Sequence, residues 1–146
     1  SMATYNKFES FVGALGLGYH GNLNTNQVNV GLYNDDPRAT DDVLLDESTP
    51  QTGSGYTAGG ADTTNTYAEA AGTGSLVGTK VVWTAGAADW ITVRYVVCYN
   101  LNTTTITNGL IGWWDYGAGG FTLGNGETFS VKFNGSETTG NILTLA

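Results

Sequence analysis

The stretch "ADWITVRYVVCYN", Ala88 to Asn100, constrains the fold more than any other part of the chain. Read at a period of two, it has one face of Ile91, Val93, Tyr95, Val97 and Tyr99 and another of Trp90, Thr92, Arg94, Val96 and Cys98. Both faces are largely apolar, so a strand here needs cover on both sides and belongs in the middle of a sheet. Val93, Tyr95 and Val97 are expected in the core, with Trp83 and Phe129. Arg94 is the one cation in the stretch and needs a carboxylate if buried; Asp115 and Glu127 are the candidates. Cys98 reads as a small buried hydrophobe rather than a thiolate, and as the only cysteine it has no intrachain partner.

The rest of the chain follows the same period. "QVNVGLYN" alternates Val28, Val30 and Leu32 with Asn29, Gly31 and Tyr33, a half-buried strand. "NTYAEA" is a weak strand, and "SLVGTKVVWTA" a good one with Thr79, Val81 and Trp83 on one face. "LIGWWDYG" is another. "FTLGNGETFSVKFNG" reads as two strands joined by a tight turn at Gly124–Gly126. "GNILTLA" is the last. One segment has a helical pattern: Phe8, Phe11, Val12 and Leu15 fall at i, i+3, i+4 and i+7, with capping-box spacing at Asn6 and Glu9 and stops at Gly16 and Gly18. The spacing predicts a helix over about 6–16 that packs across the sheet. Residues 34–62 carry clustered acids, both prolines and an apolar "VLL", and read as a long excursion with at most one short helical turn or strand.

Composition agrees. Charged residues make up 12% of the chain, about half the usual share, while glycine (22), threonine, asparagine and aromatics are plentiful. The expectation is one mainly β domain over 1–146, an antiparallel β-sandwich or jelly-roll-like fold with one short N-terminal helix. A chain of 146 residues buries enough surface to need no metal or disulfide staple. A formal charge of −8 repels phosphate backbones, so nucleic acid is an unsuitable partner, whereas a basic protein surface is suitable. No run is long enough for a membrane helix. With no signal peptide in view, synthesis in the cytoplasm is expected, and Ser1 before Met2 reads as a tag residue.

Candidate chemistry is sparse. "GSGYTAGGAD", Gly53 to Asp62, outlines a dinucleotide-binding fingerprint through Gly53, Gly55 and Ala58. That motif needs a strand before it and a helix after it. Here "DESTPQT" precedes, "GADTTNTYAEA" follows, and no cation stands near. The stretch is expected to be a bend whose glycines permit positive φ, pinned by Tyr56. His20 is a lone loop histidine, expected at the surface, and no nucleophile elbow exists. The pairs Asp35-Asp36, Asp41-Asp42 and Asp46-Glu47 form either a cation-binding loop or a solvated acidic contact loop; they lack the order of a calcium loop. Asp89, Asp115 and Glu127 are weak candidates for a carboxylate hydrolase. Trp113 and Trp114 are adjacent, so one faces the core and the other faces solvent, a partner or a second layer; with Tyr116 and Tyr56 they are candidate interface or ligand aromatics.

The series "YNKFESFVGALG", "VNVGLYN", "GSGYTAGGAD", "VVWTA", "RYVVCYN", "LIGWWDYG", "GETFSVKFN" and "GNILTLA" resembles, in order and spacing, small virion proteins of tailed bacteriophages. The resemblance covers nearly the whole chain and lies in the series rather than in any one motif. It implies a non-enzymatic structural protein without cofactor, more specifically a decoration or cement protein on the outer surface of the head shell. Its partner would be the major capsid protein, and its expected form a homo-oligomer, with a trimer favoured. The alternative is a carbohydrate- or receptor-binding component of a tail or fibre.

Overall fold

The computed structural model describes residues 3–146; the reading of Ser1 and Met2 lies outside the described residues. Ten strands and one α-helix run in the order β1 Thr4–Lys7, α1 Glu9–Gly16, β2 Val28–Tyr33, β3 Ala61–Asp62, β4 Thr66–Ala70, β5 Thr73–Thr79, β6 Val81–Thr84, β7 Tyr95–Asn100, β8 Gly109–Asp115, β9 Thr128–Val131 and β10 Thr139–Leu145. All strand pairings are antiparallel. Five strands form the main sheet in the order β1-β8-β7-β2-β3; β10-β5-β4 and β6-β9 form two smaller sheets. One apolar core joins all three, giving the expected mainly β, sandwich-like architecture.

The central stretch behaves as its two apolar faces require. All six residues of β7 are buried between β8 and β2. Val93, Tyr95, Val97 and Trp83 are buried; Phe129 is half-buried, stacked on Trp83 with ring centroids 6.3 Å apart. Residues 90–94 leave the ladder, however. Val93 forms a single bridge with Phe121, and Ile91 N–H donates to the Gln51 side chain.

Five expectations are corrected. The helix begins at Glu9, because residues 4–7 pair with β8 as a strand; Asn6 therefore makes no cap, and Phe8 occupies the N-cap without a side-chain bond. This rotates the buried stripe onto Phe8, Phe11 and Ala14 and leaves Val12 55% exposed. The strand β2 is buried along its whole length, not on one face only. "SLVGTKVVWTA" is two strands in two sheets. Gly74, Leu76 and Gly78 point inward at even positions, Val81 and Trp83 at odd ones, and the phase changes at Lys80, whose N–H bonds Thr138. In "FTLGNGETFSVKFNG" only β9 is a strand; its turn at Gly124–Gly126 serves the β6–β9 pair, since Gly126 N–H bonds Ala85 and Ala85 N–H bonds Glu127. Last, Thr79 does not share a sheet with Val81 and Trp83.

The excursion after β2 holds one 3-10 turn, Leu44–Asp46, and the short β3. Cross-strand register sorts the main sheet into two faces. One carries Asn6, Trp113, Val97 and Gly31; the other carries Tyr5, Trp114, Val96 and Leu32. The first is closed by the start of α1, where Phe8 lies 4.5 Å from Trp113, and by the excursion, where Gly59 C=O accepts from Tyr99. The second meets the smaller sheets, with Trp114 5.6 Å from Phe133.

Candidate functional site

The glycine bend is a closure of the fold. Gln51 Oε1 accepts from the N–H groups of Thr52, Gly53 and Ile91, and Asp89 accepts from Ser54 N–H and Oγ–H. Trp90 Nε1 donates to Ser54 C=O. Tyr56 Oη accepts from Leu32 N–H, and its ring lies 5.8 Å from Trp83 and 6.1 Å from Trp90. Burial pushes the Tyr56 hydroxyl up to about 12. Gly55 and Gly60 have φ of +91° and +89°, and a Cβ on them would sit 2.0 Å from Thr84 O and 1.8 Å from Val30 O. Both needs, positive φ and close backbone approach, demand glycine. No helix follows; β3 does.

Three of the six acids of the excursion, Asp35, Asp41 and Asp46, are committed to its own conformation. Asp41 is buried and accepts from the Arg38 N–H and guanidinium, at 3.0 Å in each case. Asp46 accepts from Asp42 and Val43 N–H, and Asp35 accepts from the Thr49 hydroxyl. Glu47 is half-buried, and its Oε1 has no donor among the described residues. Burial, then the neighbouring Asp41, pushes its carboxyl up to about 8. Asp36 and Asp42 are exposed. No group of three or more His, Cys, Asp or Glu side chains able to hold a metal ion occurs among the described residues.

The remaining candidate groups are engaged as well. Arg94 forms a two-pronged ion pair with Asp115, at 2.9 and 3.0 Å; this bonding lowers the Asp115 carboxyl and raises the guanidinium. Glu127 accepts from Gly124 N–H. Cys98 is buried, which raises its thiol. His20 is not at the surface as its loop position suggests but fully buried, edge-on to Phe11 at 4.8 Å. Asn100 Nδ2 donates toward His20 Nδ1 at 3.2 Å, so the ring proton sits on Nε2, which has no partner among the described residues. Burial lowers the imidazole to about 4. The sequence offered no signal for this, because Asn100 is eighty positions away.

The open feature lies on the second face of the main sheet, at its β1 end. There the layers diverge and leave a groove of about 930 Å³. Tyr5, Trp114 and Tyr116 floor it, while Ser130 and Lys132 of the β9 side and Asn141 to Leu145 of β10 wall it. Tyr5 and Trp114 are cross-strand partners with rings 5.1 Å apart. Tyr116 continues the seam edge-on to Phe129 and Phe121, at 5.3 and 6.1 Å. All five rings are half-buried. Gly112 makes room for Tyr5, whose Oη would lie against a Cβ there.

The structure thus brings together two of the four candidate aromatics, Trp114 and Tyr116. Trp113 is 9% exposed and belongs to the core, and Tyr56 belongs to the bend. Sequence reasoning missed Tyr5 and Lys7, because the spacing places the helix start at about residue 6 and predicts no strand before it. No known protein family, curated protein or solved structure matches the chain.

Proposed function

We propose that this chain is a structural protein of a tailed-phage particle, a decoration protein that binds the major capsid protein on the outer face of the head and stabilises the shell as a homo-oligomer. It is made in the host cytoplasm and acts in the virion without catalysis or cofactor. The observation that carries the reading is the aromatic groove between sheet edges, an open surface of the size used to anchor a partner. The order of motifs along the chain supports it. So does the commitment of Asp89, Asp115, Glu127, Cys98 and His20 to internal contacts, which leaves none of them paired for acid–base or nucleophilic work. Mass spectrometry of purified virions, followed by cryo-electron microscopy of the particle, tests it: the protein is expected at fixed positions on the shell. Its absence from virions ends the proposal. Light scattering tests the trimer.

A second reading takes the same rings as a saccharide platform of a tail component, since half-buried Trp114 and Tyr116 present faces on which a sugar can stack. A glycan array with tryptophan fluorescence checks it. A bare array and an unchanged spectrum count against it.

A further inference from the structure

The groove is bordered by three strands, and each of them is a sheet edge. β1 pairs only with β8, β9 only with β6, and β10 only with β5. The residues of the β1 side that line the groove are Ala3, Tyr5 and Lys7, every second one, as expected where one face of an edge strand looks into a cleft. A strand laid beside β1, on the side away from β8, would extend the main sheet and set its own alternate side chains next to Ala3, Tyr5 and Lys7 at the mouth of the groove. The unpaired N–H and C=O groups of β1 make such addition favourable. The charge of the site selects the strand. The chain has thirteen acids and five cations, yet two of those cations, Lys7 and Lys132, line the groove and no acid does. Lys132 is shared with Glu137 on the rim at 2.5 Å; Lys7 has no ion pair among the described residues.

We propose that the groove accepts an extended acidic peptide segment of a partner protein, added as a sixth strand beside β1 with its acidic side chains between Lys7 and Lys132. The proposal rests on the assembly reading above and names the kind of segment by which the partner is held. A second copy is the weaker occupant, because this chain's own acid-rich segment spends Asp35, Asp41 and Asp46 on itself. An edge lysine can also serve only as a guard against edge-to-edge pairing, and the experiment separates the two roles.

The full chain is panned against a library of random decapeptides, and the enriched sequence is synthesised. Acids at alternate positions are expected among the selected peptides, with binding that shifts Trp114 fluorescence and weakens in high salt. Methylating the peptide's alternate backbone amides, and separately Lys7→Glu, should each weaken binding at least tenfold, and Lys7→Glu should leave the melting temperature of the protein unchanged. Three results overturn the proposal: no peptide enriched, equal binding of the methylated peptide, or binding of a uronic-acid tetrasaccharide in place of any peptide. A dimer joined through β1 that excludes peptides overturns it in favour of a second copy. Presence in virions is read separately by mass spectrometry. A protein found in virions that selects no peptide refutes this inference alone, and one that selects peptides but is missing from virions refutes the assembly reading alone.

Discussion

Trp113 and Trp114 are neighbours in one strand and have opposite fates. Trp113 points to the face closed by Phe8, α1 and the excursion; Trp114 points to the face that opens at the β1 end. On the closed face polar groups are bonded inward: Tyr99 to Gly59, and Asp41 to Arg38 within the excursion that covers it. On the open end Tyr5, Trp114 and Tyr116 keep part of each ring uncovered, and the charged residues that line the groove are Lys7 and Lys132, the latter paired with Glu137 on the rim. The strand period sends adjacent side chains to opposite faces. What covers each face is then a matter of chain length: the excursion after β2 has nearly thirty residues to fold over one face, while β1, β9 and β10 simply stop at the other.

The contrast can be broken most severely at glycines. Gly60→Val drives a branched side chain into Val30 C=O from a positive φ and should leave the protein insoluble or lacking its native circular-dichroism spectrum; Gly55→Val should do the same against Thr84. Gly59 has the same φ but meets only the Tyr99 hydroxyl, at 3.1 Å, so Gly59→Ala should fold with lower stability. On the open end, the nearest atoms to a Cβ at Gly112 all belong to the Tyr5 side chain rather than to backbone, so Gly112→Ala should yield a folded protein with an altered groove. Normal folding of Gly60→Val would mean that the bend is not built around that contact.

The tryptophans give the next effect. Trp113→Ala should cost roughly 3–5 kcal/mol in urea titration, the range for a large core aromatic. Trp114→Ala, half-buried, should cost about 1–2 kcal/mol and abolish the fluorescence response of the groove. Equal losses would mean that both faces are closed.

Titration reports on two groups that do not line the groove. His20 is held neutral down to about pH 4, whereas the unfolded imidazole takes up its proton near 6.5. The unfolded chain therefore binds more protons between these values, so stability is full above about 6.5 and falls as pH drops toward 4. The melting temperature should decrease by roughly 5 °C over that window, and His20→Gln should flatten the decrease. Glu47 acts in the opposite sense. Its raised folded value, about 8, makes the folded chain bind more protons above the ordinary glutamate range, so its contribution is lost as pH rises toward 8. Glu47→Gln should remove that loss. Neither variant should alter the groove. The smallest effect on stability is expected for Lys7→Glu, within about 0.5 kcal/mol, and a larger one would show that Lys7 supports the fold rather than a ligand.

Much of the architecture was legible because period-two patterns are local. The six buried residues of β7 and the strands at 109–115 and 139–145 follow from alternation, whereas the fold decides the choice of Asp115 over Glu127 as the Arg94 partner. The break at Lys80 was also present in the sequence, as a change of phase between Leu76-Gly78 and Val81-Trp83, but a continuous apolar run conceals it. The strand at residues 4–7 was not legible. "TYNK" has no apolar alternation, and it is a strand because β8, paired with it from Thr4↔Asp115 to Lys7↔Gly112, offers an open edge far along the chain. The same distance explains the groove: Trp114 could be named as the ring left over from the core, whereas Tyr5, Lys7, Ser130 and Lys132 join it only through pairing.

By itself the sequence determined that this chain is an antiparallel β protein with a central buried strand and a glycine-built bend. Side-chain type and local period suffice for that, since burial and turn geometry act over a few residues. Only the tertiary structure decided that His20 is interior, that Asp41 and Asp46 bind Arg38 and the excursion's own backbone, and that three strand edges meet around Tyr5, Trp114 and Tyr116. Those outcomes depend on which distant strands pair and where each sheet ends, and no local pattern carries that information.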